Sequence, residues 1–134
     1  MPELEEKAVN YITADVTLTT TSETVVVSSG PVKVPRQTCL VLIRAWGQLT
    51  TGAATTTVTP RIRRGTTTAG ALVSEANAEN VKAAAGSTEP MFIEATERRS
   101  NEESVEYSLT LQQASATGNG TVLEAMIEVE ILGG

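Results

Sequence analysis

Residues Leu123 to Ile131, LEAMIEVEI, alternate without a break: Leu123, Ala125, Ile127, Val129 and Ile131 fall on one parity, and Glu124, Met126, Glu128 and Glu130 on the other. Successive side chains of an extended strand point to opposite faces. The pattern therefore predicts a strand with the core on one side and solvent or a partner on the other. Just upstream, Ala116 to Thr121 (ATGNGT) holds the pair Asn119-Gly120, a strong hairpin signal because both residues tolerate positive φ. The final strand is expected to pair back through this turn. Val105 to Leu111 (VEYSLTL) places Val105, Tyr107, Leu109 and Leu111 inward, Met91 to Glu97 is a further strand, and Arg98 to Glu103 (RRSNEE) is a charged surface turn between them.

Nearer the N-terminus, Ile12, Ala14, Val16 and Leu18 share one parity, as in a half-buried strand. Val25-Val26-Val27 and Val32-Lys33-Val34 flank the turn cluster Ser28-Ser29-Gly30-Pro31, which a hairpin fits most simply. Cys39 to Leu49 (CLVLIRAWGQL) is apolar on both parities and reads as a central strand covered on both faces. Thr55 to Arg64 (TTTVTPRIRR) returns to alternation. Pro60 cannot donate to a ladder, so this strand is expected at an edge or with a bulge. Gly65 to Gly70 is a turn leading to a brief strand at Ala71-Leu72-Val73, and Glu75 to Ala85 (EANAENVKAAA) reads as a loop with one helical turn.

About eight short strands without a βαβ rhythm predict an all-β, jelly-roll-like antiparallel two-sheet sandwich. The inward positions expected are Ile12, Val16, Leu18, Leu40, Leu42, Val58, Ile62, Leu109, Leu111, Ile127, Val129 and Ile131. At 134 residues the chain fits one domain over 11–134, with 1–10 as an N-terminal arm because PELEEKA is charged and carries little apolar content. Twenty-one threonines and many valines favour extended structure.

Function classes fall away in turn. There is no histidine, which removes the commonest general base and transition-metal ligand. One cysteine, Cys39, and one aspartate, Asp15, match neither a zinc set nor a calcium loop. Cys39 lies in an apolar run and reads as a buried small hydrophobe. Glu94, Glu97, Glu102 and Glu103 supply carboxylates for glycosidase-type chemistry, but beside arginines they read as a solvated turn. We therefore expect no catalysis and no cofactor. A net charge of −6 argues against nucleic acid as a partner, and no apolar run is long enough for a membrane span or follows a basic start. Asn119-Gly120-Thr121 matches a glycosylation acceptor pattern through its turn chemistry alone. Four aromatics are few for a carbohydrate platform. Trp46 suits either a core anchor or an interface hot spot, and Arg61, Arg63 and Arg64 form the most prominent basic cluster.

The segments Arg61 to Ala76 (RIRRGTTTAGALVSEA) and Ala114 to Leu132 (ASATGNGTVLEAMIEVEIL) resemble small β-sandwich structural proteins of tailed bacteriophages, the decoration or cement proteins of capsid exteriors. The resemblance covers about half the chain and rests on turn chemistry. It implies a virion location on the outer capsid surface, a major capsid protein as partner, and self-association, commonly as a homotrimer. A tail, baseplate or head-fibre component is the alternative, and a carbohydrate-binding module the third. On this reading Pro2, Glu3, Leu4, Glu5, Glu6 and Lys7 are candidate capsid contacts, and Trp46, Arg61, Arg63 and Arg64 candidate subunit contacts.

Overall fold

The computed structural model describes residues 3–51, 56–75, 82–83, 87–100, 102–115 and 119–133. The strands are β1 (Glu3–Tyr11), β2 (Val16–Thr17), β3 (Thr24–Ser28), β4 (Val32–Val34), β5 (Cys39–Thr51), β6 (Thr56–Arg64), β7 (Ala71–Glu75), β8 (Lys82–Ala83), β9 (Thr88–Arg99), β10 (Glu102–Val105), β11 (Tyr107–Gln113) and β12 (Gly120–Gly133). A front sheet runs β1-β12-β5-β9, with β2 also on β12. A back sheet runs β3-β11-β6-β7, with β8 also on β6, and β4 and β10 form a short separate ladder. Every pairing is antiparallel. The expected two-sheet sandwich is the fold.

Period-two patterning fills the space between the sheets. The front sheet contributes Val41, Ile43, Ala45 and Leu49 from β5 and Val122, Ala125, Ile127, Val129 and Ile131 from β12. Opposite them lie Val58 and Ile62 of β6 and Tyr107, Leu109 and Leu111 of β11. Burying a side chain of Val, Leu or Ile stabilises by about 1.5–3 kcal/mol relative to exposure, so this layer is the main source of fold stability. Cys39 is buried at its edge as a free thiol.

Several local expectations need correction. Leu40 and Leu42 lie on the outer face of β5, half-buried, because Cys39, Val41 and Ile43 take the inward parity. That outer face is not covered by protein along the strand, since Gln48 is exposed. Leu123 leaves the core parity at a bulge, where Val122 pairs Leu49 while Glu124 pairs Gln48. The extra residue moves Val122 inward instead. β3 and β4 do not form a hairpin: β3 pairs β11, and β4 pairs β10. Nor does Asn119-Gly120 close one, because β11 and β12 belong to different sheets. The Gln113 amide takes over there, donating to Leu18 O and Thr20 O at 3.0 Å and Asn119 Oδ1 at 3.1 Å while accepting from Gly120 N at 2.9 Å.

Beyond Tyr11, which ends β1, only Val16 and Thr17 of the segment up to Leu18 enter a strand, though Leu18 is buried and Ile12 and Val16 pack against the core. β6 is interior and not an edge strand, but its ladder with β7 carries a bulge at Ile62/Arg63, close to Pro60. Pro60 falls between its pairings with β8 (Thr56, Thr57) and β7 (Arg61 to Arg64), so its missing N–H is not called on there. Much of the 75–85 segment, including the expected helical turn, lies outside the described residues.

Candidate docking face

The residues expected as a free arm form β1, an edge strand in register with β12 from Glu3↔Gly133 to Tyr11↔Met126. Backbone pairing explains why a charged, weakly apolar segment is ordered: its ladder bonds need no large side chains. Glu6 Oε2 accepts a hydrogen bond from Lys33 N at 2.9 Å, and Lys7 Nζ pairs with Glu128 at 3.3 Å and Glu130 at 3.9 Å. Residues 3–10 are thus no separate arm; Met1 and Pro2 lie outside the described residues, as do the side chains of Glu3, Leu4 and Glu5.

Register on the front sheet's outer face brings distant residues into rows. Tyr11 pairs Met126, Met126 pairs Trp46, and Trp46 pairs Phe92, giving one line across four strands. Directly paired side chains stand within about 4.5–5.5 Å at Cβ, so three of the chain's four aromatics and a methionine form a continuous band. Tyr11 is 61% and Phe92 58% exposed, with Trp46 and Met126 half-buried between them. Beside the band, at the Leu123 bulge, opens a concavity of about 540 Å³ bordered by Trp46, Gln48, Leu123 and Glu124. Gly47 makes the geometry possible, because an added Cβ would stand 2.3 Å from Glu124 O.

The adjacent row is Val9, Glu128, Arg44 and Glu94. Arg44 holds Glu94 at 3.2 Å and Glu128 at 3.8 Å, so charges are paired across the strands. A hydrogen bond between the neighbouring carboxyls lowers the pKa of Glu128 and raises that of Glu130; Lys7 and Arg44 add to the lowering at Glu128. Further along lie the half-buried Leu42, Leu40 and Leu132.

The back sheet is closed on itself. Glu23 accepts from Arg63 Nε at 2.5 Å and Nη2 at 2.8 Å, from Arg61 Nη1 at 3.3 Å, and from Thr110 Oγ1 at 2.6 Å. The Arg63 bonds, then Thr110, hold its carboxyl below the usual range against the opposing effect of burial. Arg61 also donates to Glu75 at 2.6 Å and Gln112 at 2.8 Å. Arg64 crosses between sheets to Glu97 at 2.6 Å, and Arg99 approaches the same carboxylate at 3.7 Å. Beneath that pair, burial first and the Glu97 charge second push the Tyr107 phenol above its ordinary pKa.

The structure thus separates the expected subunit contacts: Trp46 is on the front face, Arg61 and Arg63 are in the back-sheet cluster, and Arg64 is at the rim. Glu94 and Glu97 serve different ion pairs, so they form no acid/base couple, and the side chains of Glu102 and Glu103 lie outside the described residues. Among the described residues no three His, Cys, Asp or Glu side chains cluster as a metal site would. Tyr11, Phe92, Met126 and Val9 went unread as site residues. Their one signal was parity opposite to the core; their company depends on registers that no local pattern encodes.

In class, the molecule is an antiparallel two-sheet β-sandwich with one uncovered apolar face. No family model and no curated protein matches the chain. Among solved structures, it is similar to a chain in the structure of infectious bursal disease virus, Gx strain, with TM-score 0.55 and 14% identity over 98% of this chain and 33% of that one. The likeness is one of jelly-roll fold, and this chain spans a third of the viral chain's length. The CBM22-1 xylan-binding domain of Paenibacillus barcinonensis Xyn10C matches at TM-score 0.30 and 9% identity, covering 99% and 97% of the two chains.

Proposed function

We propose that this chain is a virion structural protein, a decoration or cement protein that binds the outside of a bacteriophage head and stabilises the shell. The observation that carries the reading is the contrast between the two sheets. The described polar groups of the back sheet are largely engaged with one another, while the front sheet presents an apolar band that no described residue covers. Such a module acts by contact and performs no catalysis. The sandwich shared with a viral chain supports a virion role, and so do the segments of the phage resemblance, which form the β6–turn–β7 unit and the entry into β12. The partner is the major capsid protein, with neither nucleic acid nor membrane involved. Many weak copies summed over a shell suffice for stabilisation.

The aromatic row favours a second reading, carbohydrate binding through stacking on Tyr11, Trp46 and Phe92. One experiment separates the two: co-sedimentation of purified protein with undecorated capsids, alongside titration with soluble oligosaccharides monitored by Trp46 fluorescence. Saturable capsid binding that raises the shell's melting temperature supports decoration. Absence of sedimentation refutes it, and a saturable fluorescence response to sugar alone moves the assignment to the second reading.

A further inference from the structure

We propose that the outer face of the front sheet is a self-association surface whose occupant is a second copy of this chain. Among the described residues, three of the four large apolar side chains that stand exposed, Val9, Tyr11 and Phe92, lie on this one face; the fourth, Leu72, is on β7 of the back sheet. Contiguous exposed apolar surface of this kind marks a contact site, whereas scattered exposed residues do not. Beyond the charged row of Glu128, Arg44 and Glu94, the half-buried Leu42, Leu40 and Leu132 add further apolar surface toward the other end of the strands. A sugar chain, rich in hydroxyls, has no use for aliphatic groups that far from the aromatic rings; a protein face does.

Size agrees. Four strands about 4.8 Å apart, followed over nine residues at about 3.4 Å each, cover roughly 600 Å² in plan before side-chain relief is added. A standard interface buries about 800 Å² per partner.

Charge selects the same chain as the partner. Among the described side chains, Lys7, Arg44 and Arg98 share this face with Glu94, Glu124, Glu128 and Glu130, which brings these within one charge of neutral although the chain carries −6. A surface built to grip a strongly charged partner would carry one sign. This one has both signs in neighbouring rows, already paired within the face as Arg44 with Glu94 and Glu128 and Lys7 with Glu128 and Glu130, so a second copy meets little net repulsion there. In an isologous contact one patch must complement itself, and a near-neutral mixed face does so with little repulsion. The arginine cluster of the back sheet takes no part, because Arg61 and Arg63 are engaged with Glu23, Glu75 and Gln112.

The test is sedimentation velocity with light scattering on the full chain at micromolar concentration. Wild type is expected as a closed oligomer. Tyr11→Glu and Phe92→Glu, both at exposed positions that leave the core untouched, should weaken association at least tenfold while dichroism and melting of the monomer are retained. Leu72→Glu is the control and should leave association unchanged. A monomeric wild type overturns the proposal, as does an oligomer indifferent to both front-face variants or one dissociated by Leu72→Glu. An oligomer that never sediments with capsids leaves this inference standing and removes the decoration reading alone.

Discussion

Replacing Gly47 by alanine tests whether the concavity beside Trp46 depends on the close approach of β5 to the bulge in β12. The new Cβ would stand 2.3 Å from Glu124 O, 3.0 Å from Met91 Cε and 3.2 Å from Ala125 Cα. Real Cβ atoms essentially never approach within 3.0 Å, so the two strands must separate by at least about 0.7 Å at this point. Ladder hydrogen bonds near 2.9 Å then stretch to about 3.6 Å, beyond bonding distance. Two such losses at about 1 kcal/mol each, with overpacking against Met91 of about 1–3 kcal/mol partly relieved by that movement, give a destabilisation of about 2–4 kcal/mol. Urea unfolding followed by dichroism measures the total, and Trp46 fluorescence reports on the site. Gly30→Ala is the comparison: its φ is +83° with nothing within 4 Å of an added Cβ, so only the left-handed backbone is penalised, by about 1–2 kcal/mol. The reasoning fails if Gly47→Ala lies within about 0.5 kcal/mol of wild type.

Gln113→Leu removes four hydrogen bonds that join Leu18, Thr20, Asn119 and Gly120, leaving Gly120 N–H buried without its acceptor. A loss of about 2–4 kcal/mol in urea unfolding is expected, and less than about 1 kcal/mol would contradict this account. Glu23→Gln keeps the shape of the arginine clamp but removes its charge. Because the folded pKa of Glu23 is depressed, its contribution is present above the unfolded pKa and lost as pH falls through the folded value; the stability gap from wild type should be widest near neutrality and close in acid. A gap independent of pH would refute the assignment. Tyr107→Phe deletes a buried hydroxyl that lies near the Glu97 carboxylate but forms no well-aligned hydrogen bond among the described residues. It should be neutral or stabilising by up to about 1 kcal/mol at neutral pH. The raised phenol pKa means that wild type loses stability as pH rises through the unfolded tyrosine value, a loss that Tyr107→Phe should lessen. Melting curves from neutral to alkaline pH decide both points.

The sandwich was legible because inward residues such as Ile127, Val129, Ile131, Leu109 and Leu111 keep period two over stretches long enough to exclude a helix. Parity alone could not resolve β5, where both faces are apolar. Pattern therefore places Leu40 and Leu42 inward, although Cys39, Val41 and Ile43 occupy that side. The N-terminal strand escaped notice because its order comes from backbone pairing with β12, which leaves no hydrophobic signature. The hairpin expected at Asn119-Gly120 does not form, since Gly120 opens β12 and β11 and β12 belong to different sheets. The docking face was the least readable feature. Trp46 was singled out by size, but its neighbours Tyr11, Phe92 and Met126 come from three other strands and meet it only through non-local register.

The pairing of Glu3 with Gly133 sets the two ends of the described chain side by side, about 5 Å apart at Cα as in any antiparallel pair. A linker of a few residues could join 133 to 3, and the exposed Thr66-Thr67-Thr68 turn between β6 and β7 would then be a natural place to open the chain. In such a circular permutant β1 and β12 become a covalent hairpin, while the front face keeps its registers. The termini would move to the back-sheet edge, clear of the surface assigned to self-association, giving a scaffold for display on which attachment and assembly do not compete for space.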